Sequence, residues 1–145
     1  MKFGWINLFG AIIVLLMLIP NFIYALRNQT ETNFCANRWM NLTEQIGRYG
    51  CVILMWFPLL VWEFGFSSTF EMILYLAGNG ALLTIYIFVF VRYLSERTRK
   101  RTFALAVIPV CIFFLSGVLL RHWLLVGAAV LFAVGHLYVT QKNAA

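Results

Sequence analysis

The stretch RYLSERTRKR at residues 92–101 carries five cationic side chains within ten residues, and long apolar segments flank it on both sides. A short, strongly basic segment between apolar ones is typical of a cytoplasmic loop between membrane helices. The whole chain is 63% hydrophobic and 11% charged, a composition that fits the membrane class and not a water-soluble domain. The sequence therefore predicts an all-α, polytopic transmembrane helix bundle that forms one domain over residues 1–145.

Apolar segments of membrane-spanning length set the expected number of helices. A bilayer core about 30 Å thick needs about 20 apolar residues of helix to cross it. On this measure the sequence predicts five spans, at about residues 5–26, 44–64, 70–92, 103–120 and 123–140. The second has its dense apolar core from about Tyr49 to Trp62, and Glu44, Gln45 and Arg48 extend the same helix to a polar end.

The last long apolar segment, residues 103–139, decides between four and five spans. As one helix it would be about twice as long as the membrane is thick, so we expect it to fold back on itself. Its strongly polar or interface-seeking cluster is Arg121-His122-Trp123, which predicts a tight turn there. In the four-span alternative, residues 103–140 form one bent segment.

The distribution of Lys and Arg between the short loops predicts the orientation. With an external amino terminus, nine of these residues lie inside, and two, Lys2 and Arg121, lie outside. This bias predicts a multi-pass protein of the cell membrane with a cytoplasmic carboxyl terminus, and the compact chain suits a bacterial membrane. A competing interpretation treats the start of the chain as a signal peptide cleaved after Ala25, which reverses every later segment against the charge bias.

The sequence contains no recognisable catalytic, metal-binding or cofactor motif. Its three cysteines have no C-x-x-C spacing, and its histidines, His122 and His136, fall on opposite sides of the predicted membrane. Gly-rich phosphate cradles, nucleophile elbows and zinc helices are missing. The basic stretch is too short to form a nucleic-acid-binding face. We therefore expect no metal, no cofactor and no nucleic-acid partner.

Polar residues at membrane depth on the third helix mark a first candidate ligand site, because each costs free energy unless it faces protein or water. Helical spacing places six residues along one stripe. The stripe consists of Tyr75, Asn79, Leu82, Tyr86, Val89 and Tyr93. Asn79 is expected close to the midplane. The stripe is either a helix-packing seam or one wall of a ligand cavity, and the sequence leaves both open.

A second candidate site lies near the inner ends of the helices. Glu44 and Arg48 stand one turn apart and can form an i,i+4 ion pair. His136 lies in the inner half of the fifth helix, on a face with small residues. If the second and fifth helices are neighbours, these three side chains meet in an inward-facing polar pocket, with Asn21 beside the Pro20 break in the first helix. Such a group suits a polar head group, or proton transfer by a histidine that a carboxylate tunes.

The basic stretch supplies candidate contacts to anionic lipid at Arg97, Arg99, Lys100 and Arg101. Each basic residue near a membrane surface contributes about 1 kcal/mol of attraction to anionic lipid. Membrane lipids are therefore the expected partners, together with a small amphiphilic ligand or other membrane proteins, and a homo-oligomer is compatible with the sequence.

Three functional hypotheses follow. The first is a protein that binds a lipid or small amphiphile, or serves as a membrane partner subunit, without chemistry of its own. The second is an intramembrane enzyme that acts on a lipid or isoprenoid head group from the cytoplasmic side and uses Glu44, Arg48 and His136. The third is a small oligomeric transporter or channel, which requires a continuous polar path past Asn79.

Overall fold

The chain folds into helices throughout the part that the structure, a computed structural model, describes: residues 4–28, 33–61 and 65–144. Five helices follow one another in this part, which confirms the all-α prediction. They are α1 (Leu8–Arg27), α2 (Arg38–Trp56), α3 (Thr69–Ser95), α4 (Arg99–Leu119) and α5 (Trp123–Asn143). Four of them, α1, α3, α4 and α5, are long and apolar enough to cross a membrane. The remaining helix, α2, has comparable length but carries Arg38, Glu44 and Arg48 at its first, seventh and eleventh positions.

The ends of α2 differ from the predicted range of about 44–64. The helix begins six residues earlier, at Arg38, because the Asn37 side chain caps it and accepts hydrogen bonds from the backbone N–H groups of Trp39 and Met40 at 3.1 and 3.3 Å. It ends at Trp56, since Phe57 precedes Pro58 and takes the extended conformation that a following proline favours. Residues 62–64, the end of the predicted range, lie outside the described part of the chain.

The basic stretch is mostly helical rather than a loop. Only residues 96–98 separate α3 from α4, and three of the cations, Arg99, Lys100 and Arg101, form the first turn of α4. Arg101 donates hydrogen bonds to the carbonyl oxygens of Arg92 and Glu96 at 3.1 and 2.7 Å. Both carbonyls lie at the end of α3, where the one of Arg92 also accepts the backbone N–H of Glu96 at 3.1 Å, and a cation at this position complements the helix dipole.

The chain doubles back at Arg121, as the sequence predicts. The backbone N–H of His122 donates to the carbonyl of Gly117 at 2.8 Å, and that of Arg121 to Val118 at 3.1 Å. Together with the positive φ of 53° at Arg121, this is the Schellman ending of a helix. The Arg121 guanidinium also pairs with the Glu71 carboxylate at 2.8 Å, which anchors the turn to the start of α3.

The antiparallel pair α2 and α5 is packed so closely that only glycine fits at two positions. A Cβ atom at Gly47 would lie 2.4 Å from the Phe132 backbone nitrogen, and one at Gly135 would lie 2.5 Å from the Glu44 backbone nitrogen. Contacts between backbones of this kind are the usual consequence of small residues at a membrane helix interface. Because Gly135 lies against the backbone of Glu44, the residue after it, His136, also lies close to Glu44.

At the other end of this pair, His122 is buried between the helices. Its Nε2–H group lies 3.2 Å from the carbonyl oxygen of Leu59, just after α2. Burial lowers the pKa of His122, and this effect outweighs the opposing one of its backbone hydrogen bonds. The ring is therefore neutral at neutral pH. We call this end of the bundle, which holds Arg121 and His122, the turn end, and the opposite end, with the α3–α4 connection, the basic end.

Candidate functional site

Glu44, Arg48 and His136 meet near the basic end of the bundle. The Glu44 carboxylate accepts a hydrogen bond from Nδ1 of His136 at 2.8 Å and from the Arg48 guanidinium one turn further along α2. The Glu44 side chain is only 9% exposed, whereas Arg48 is 48% exposed. An anionic carboxylate at such a position needs partners, and the two donors supply them. The predicted ion pair therefore forms, and the condition for the pocket, that α2 and α5 are neighbours, is met.

The imidazole of His136 is held in one orientation. Its ring stacks on the Phe132 ring at a centroid distance of 4.7 Å and an interplanar angle of 19°. Because a carboxylate can only accept, Nδ1 of His136 is the donor in this contact, and in the neutral form of the ring Nε2 is then an acceptor. The phenyl ring and the carboxylate together fix both the tautomer and the direction of the remaining nitrogen.

His136 forms part of the wall of a cavity of about 600 Å³ at the basic end, which we call the inner cavity. Side chains of four helices and of the α1–α2 and α3–α4 connections line it. They are Asn21, Tyr24, Phe34, Tyr86, Phe90, Tyr93, Arg97, Thr102, Leu105, Ala106, His136, Thr140, Asn143 and Ala144. The lining combines aromatic and aliphatic surface with hydroxyl, amide, imidazole and guanidinium groups, the mixture that small-molecule sites usually present.

Asn21 and Tyr86 form a polar pair in the wall contributed by α1 and α3. The Tyr86 hydroxyl donates to Oδ1 of Asn21 at 3.1 Å, and Nδ2 of Asn21 donates to the carbonyl oxygen of Met17 at 3.1 Å. Tyr86 is 2% exposed, so the hydrogen bond satisfies a buried hydroxyl. The structure thus brings together Asn21, Tyr86 and His136 around one cavity, whereas Glu44 contacts His136 and Arg48 but neither Glu44 nor Arg48 lines the cavity.

Arg97 is the member of the basic stretch that reaches the cavity. Its guanidinium donates to Oδ1 of Asn28 at 2.5 Å and lies over the rings of Tyr24 and Tyr93, 5.5 and 5.9 Å from their centroids. The other three predicted lipid contacts do not line the cavity. Arg99 and Lys100 are exposed, and Arg101 forms an ion pair with Glu96 at 2.9 Å.

Asn79 and Tyr75 lie outside the inner cavity, in the packed interior nearer the turn end. Both are fully buried. Nδ2 of Asn79 donates to the Tyr75 carbonyl at 3.0 Å, and its Oδ1 accepts from the Ser116 hydroxyl of α4 at 3.3 Å. These contacts are those of a helix-packing seam. The buried line along α3 also runs through Leu83 and Phe90 instead of the predicted Leu82 and Val89.

The sequence reasoning missed several cavity residues, among them Phe34, Thr140 and Asn143. Thr140 follows His136 at the i+4 position, so a search for polar pairs on one helix face finds it. Phe34 has no such signal, because it lies in the α1–α2 connection. Its backbone N–H donates to the Asn143 side chain at 3.0 Å, a contact that joins residues far apart in sequence.

Comparison of the chain with protein-family models, with curated proteins and with solved structures finds no match.

Proposed function

We propose that this chain is a five-span membrane protein whose inner cavity binds a small amphiphile. The case for α2 as a span rests on its partner α5, which is long and apolar enough to cross a membrane. Glu44 contacts α5 near its basic end, and Leu59, just after α2, contacts His122 at its turn end. An antiparallel partner that follows a spanning helix over this length crosses the same thickness of bilayer. Of the charged residues of α2, Arg38 lies at the basic end, whereas Glu44 and Arg48 lie further along the helix and pair with each other.

The orientation in this proposal follows from the charges at the two ends of the bundle. The described cations Arg27, Arg38, Arg92, Arg97, Arg99, Lys100, Arg101 and Lys142 belong to the basic end, Arg48 lies near the middle of α2, and Arg121 belongs to the turn end. The positive-inside rule then orients the basic end to the cytoplasm and the amino terminus outward, in a bacterial cell membrane.

Cysteine labelling tests the five spans. In a variant without native cysteines, single cysteines replace Gly4, Trp39, Leu60 or Lys100, all of which are exposed positions. We expect a membrane-impermeant maleimide to label positions 4 and 60 in intact cells, and positions 39 and 100 only after permeabilisation. Labelling of positions 39 and 60 from the same side contradicts a spanning α2.

The observation that carries the binding proposal is the inner cavity itself. Its volume of about 600 Å³ lies within the range of about 300–1,000 Å³ that is usual for ligand sites. Hydrogen-bonding groups on Asn21, Tyr86 and His136 suit a polar head group, and the surface of Phe90 and Leu105 suits an alkyl or isoprenoid chain. Because several polar groups converge on a space with apolar walls, an amphiphile fits better than a purely polar or a purely apolar molecule.

The hydrogen bond between Glu44 and His136 favours a second candidate function, an enzyme that acts on a lipid or isoprenoid head group. A carboxylate that accepts the Nδ1 proton leaves Nε2 as a base, the arrangement that general base catalysis uses. His136 lines the cavity, so a bound head group or water lies within reach of the ring. The two functions use the same cavity. They differ in whether the bound molecule is chemically altered before it is released.

Filling the cavity tests the binding proposal. Ala106 lines the cavity and is 3% exposed, so we expect Ala106→Phe to abolish co-purification of lipid adducts seen by native mass spectrometry of the wild-type protein. Ala104→Phe is the matched control, because Ala104 lies on the same helix outside the cavity. Adducts that persist equally in both variants, or that never appear in the wild type, contradict the proposal. A bound lipid whose mass changes on incubation, and no longer does so in His136→Gln, identifies the enzyme.

A further inference from the structure

We propose that the inner cavity selects amphiphiles whose head group is an uncharged hydroxyl, and that Nε2 of His136 and the side-chain hydroxyl of Thr140 bind this group. The inference rests on the proposed binding function and adds the class of ligand. It comes from three features of the site: the orientation of the imidazole, the hydroxyl one turn away on the same helix, and the hydrogen bonds that other polar groups of the wall already make.

Nε2 of His136 is an accessible acceptor. Nδ1 is bonded to the Glu44 carboxylate at 2.8 Å, and one face of the ring is stacked on Phe132. His136 lines the inner cavity and its side chain is 20% exposed, whereas Glu44 and Phe132 do not line the cavity. The part of the ring that reaches the cavity is therefore the side that carries Nε2. Among the described residues Nε2 has no hydrogen-bond partner, so the neutral ring presents a lone pair in a fixed direction.

The Thr140 hydroxyl stands one turn further along α5. Residues four apart share a helix face, and Thr140 also lines the inner cavity. Its hydroxyl makes no hydrogen bond within the part of the chain that the structure describes. The hydroxyl of Thr102, which lines the same cavity, instead donates to the Thr98 carbonyl at 3.2 Å. Because a hydroxyl can rotate, that of Thr140 can turn toward a ligand oxygen beside Nε2.

Other polar groups of the cavity wall are already engaged with each other. The Tyr86 hydroxyl donates to Asn21, and the Asn21 side chain donates to the Met17 carbonyl. A ligand that bonds to these groups has to compete with an existing hydrogen bond. His136 and Thr140, by contrast, each gain a partner on binding without losing one, and only such a net gain adds to the affinity.

A hydroxyl is the head group that matches both positions. It can donate its own proton to Nε2 and accept the proton of the Thr140 hydroxyl. A carboxylate or an ether has no proton to donate. An ammonium donates but cannot accept, and its charge needs an anionic partner inside the bundle, where the Glu44 carboxylate is already shared by Arg48 and His136. The chemistry of the pair on α5 thus favours an amphiphilic alcohol.

The experiment compares two isomers that differ in the hydrogen-bond donor: tetradecan-1-ol and 1-methoxytridecane. Their binding to the full-length protein in a neutral detergent is titrated separately by native mass spectrometry at about pH 8.5, where an imidazole is ordinarily neutral. Tetradecanoate, tetradecylamine and propan-1-ol form further arms. We expect the alcohol to bind about tenfold more tightly than its ether isomer, the size of effect that one good hydrogen bond gives. The two charged probes should bind more weakly than the alcohol.

Variants of the two residues should have different signatures. His136→Phe keeps an aromatic ring but removes the acceptor, so the alcohol should bind no better than the ether. Thr140→Val has nearly the same shape and removes the donor that both isomers use, so both should bind about fivefold more weakly and keep their ratio. Thr102→Val is the matched control and should change neither affinity, because the Thr102 hydroxyl is bonded to the backbone. If His136→Phe does not fold, the isomers in the wild type and in Thr140→Val decide.

Other outcomes contradict separate parts of the proposal. Equal binding of the two isomers to the wild type overturns the selectivity for a hydroxyl and leaves the amphiphile-binding function intact. Binding of none of the long-chain probes overturns the binding function itself. Tighter binding of tetradecanoate or tetradecylamine makes charge the basis of selection. Displacement of tetradecan-1-ol by an equal concentration of propan-1-ol makes the cavity a site for small alcohols. An unchanged ratio in folded His136→Phe overturns the role of Nε2, and equal effects of Thr140→Val and Thr102→Val overturn that of Thr140.

Discussion

Replacing Gly47 with alanine is expected to lower the free energy of unfolding by about 1–3 kcal/mol, the usual cost of overpacking a closely packed interior. The added Cβ atom would lie 2.4 Å from the backbone nitrogen of Phe132 and 2.6 Å from its Cα. Both are backbone atoms, so no rotation of a side chain relieves the contact. The helices α2 and α5 must separate by about 1 Å to restore ordinary van der Waals distances.

Gly127→Ala on α5 and Gly80→Ala on α3 are the matched controls, because a Cβ atom at either position meets nothing within 4 Å. Alanine is the better helix former, so these variants should be as stable as the wild type or up to about 1 kcal/mol more stable. Unfolding by SDS in mixed micelles, followed by tryptophan fluorescence, measures the difference. A Gly47→Ala variant that is as stable as the controls contradicts the close crossing of α2 and α5.

The same substitution should also disturb the candidate site, since the crossing holds Glu44 beside His136. Spin labels at the exposed positions Ile46 and Val134 report the separation of the two helices. An increase in their distance in Gly47→Ala, with no change in Gly127→Ala, connects the packing of α2 on α5 to the geometry of the cavity wall.

The helices and the turn at Arg121 could be predicted because each depends on local chemistry. An apolar segment twice the length of a span must fold back, and Arg121-His122-Trp123 is the polar cluster within it. The ends of α2 were predicted wrongly because hydropathy alone set them. The capping side chain of Asn37 and the proline at 58 are stronger signals, and both can be read directly from the sequence.

The candidate site could be predicted only in part. The pair of Glu44 and Arg48 follows from helical spacing, whereas the contact of Glu44 with His136 requires that α2 and α5 pack together. The glycines that permit this packing, Gly47 and Gly135, are visible in the sequence, but their register against each other is a property of the folded bundle. The role of Arg97 in the cavity wall depends on where the end of α3 meets α1, which no spacing rule gives.

Removing the charge of Glu44 is the second change with a large expected effect. Glu44→Gln should lower the free energy of unfolding by about 2 kcal/mol. The glutamine side chain has nearly the same size, but it carries no charge to compensate Arg48 and is a weaker acceptor than a carboxylate for the hydrogen bond from Nδ1 of His136. The position is 9% exposed, so water replaces these interactions poorly. The effect stays below that of a fully buried ion pair because Arg48 is 48% exposed and its long side chain is free to turn toward a more polar environment.

The ion pair of Glu96 and Arg101 is the matched control, because the same Glu→Gln substitution there affects a carboxylate that is 68% exposed. Exposed pairs contribute little, so Glu96→Gln should change stability by less than about 1 kcal/mol.

A double-mutant cycle of Glu44→Gln with His136→Phe isolates the coupling energy between Glu44 and His136. The phenylalanine in this variant keeps an aromatic ring against Phe132. If the two residues act as one unit, the double variant loses less stability than the sum of the single variants. If the losses are additive, or if Glu44→Gln is as stable as Glu96→Gln, the Glu44 carboxylate does not hold the imidazole of His136. The cavity then lacks the fixed acceptor on which the enzymatic alternative depends.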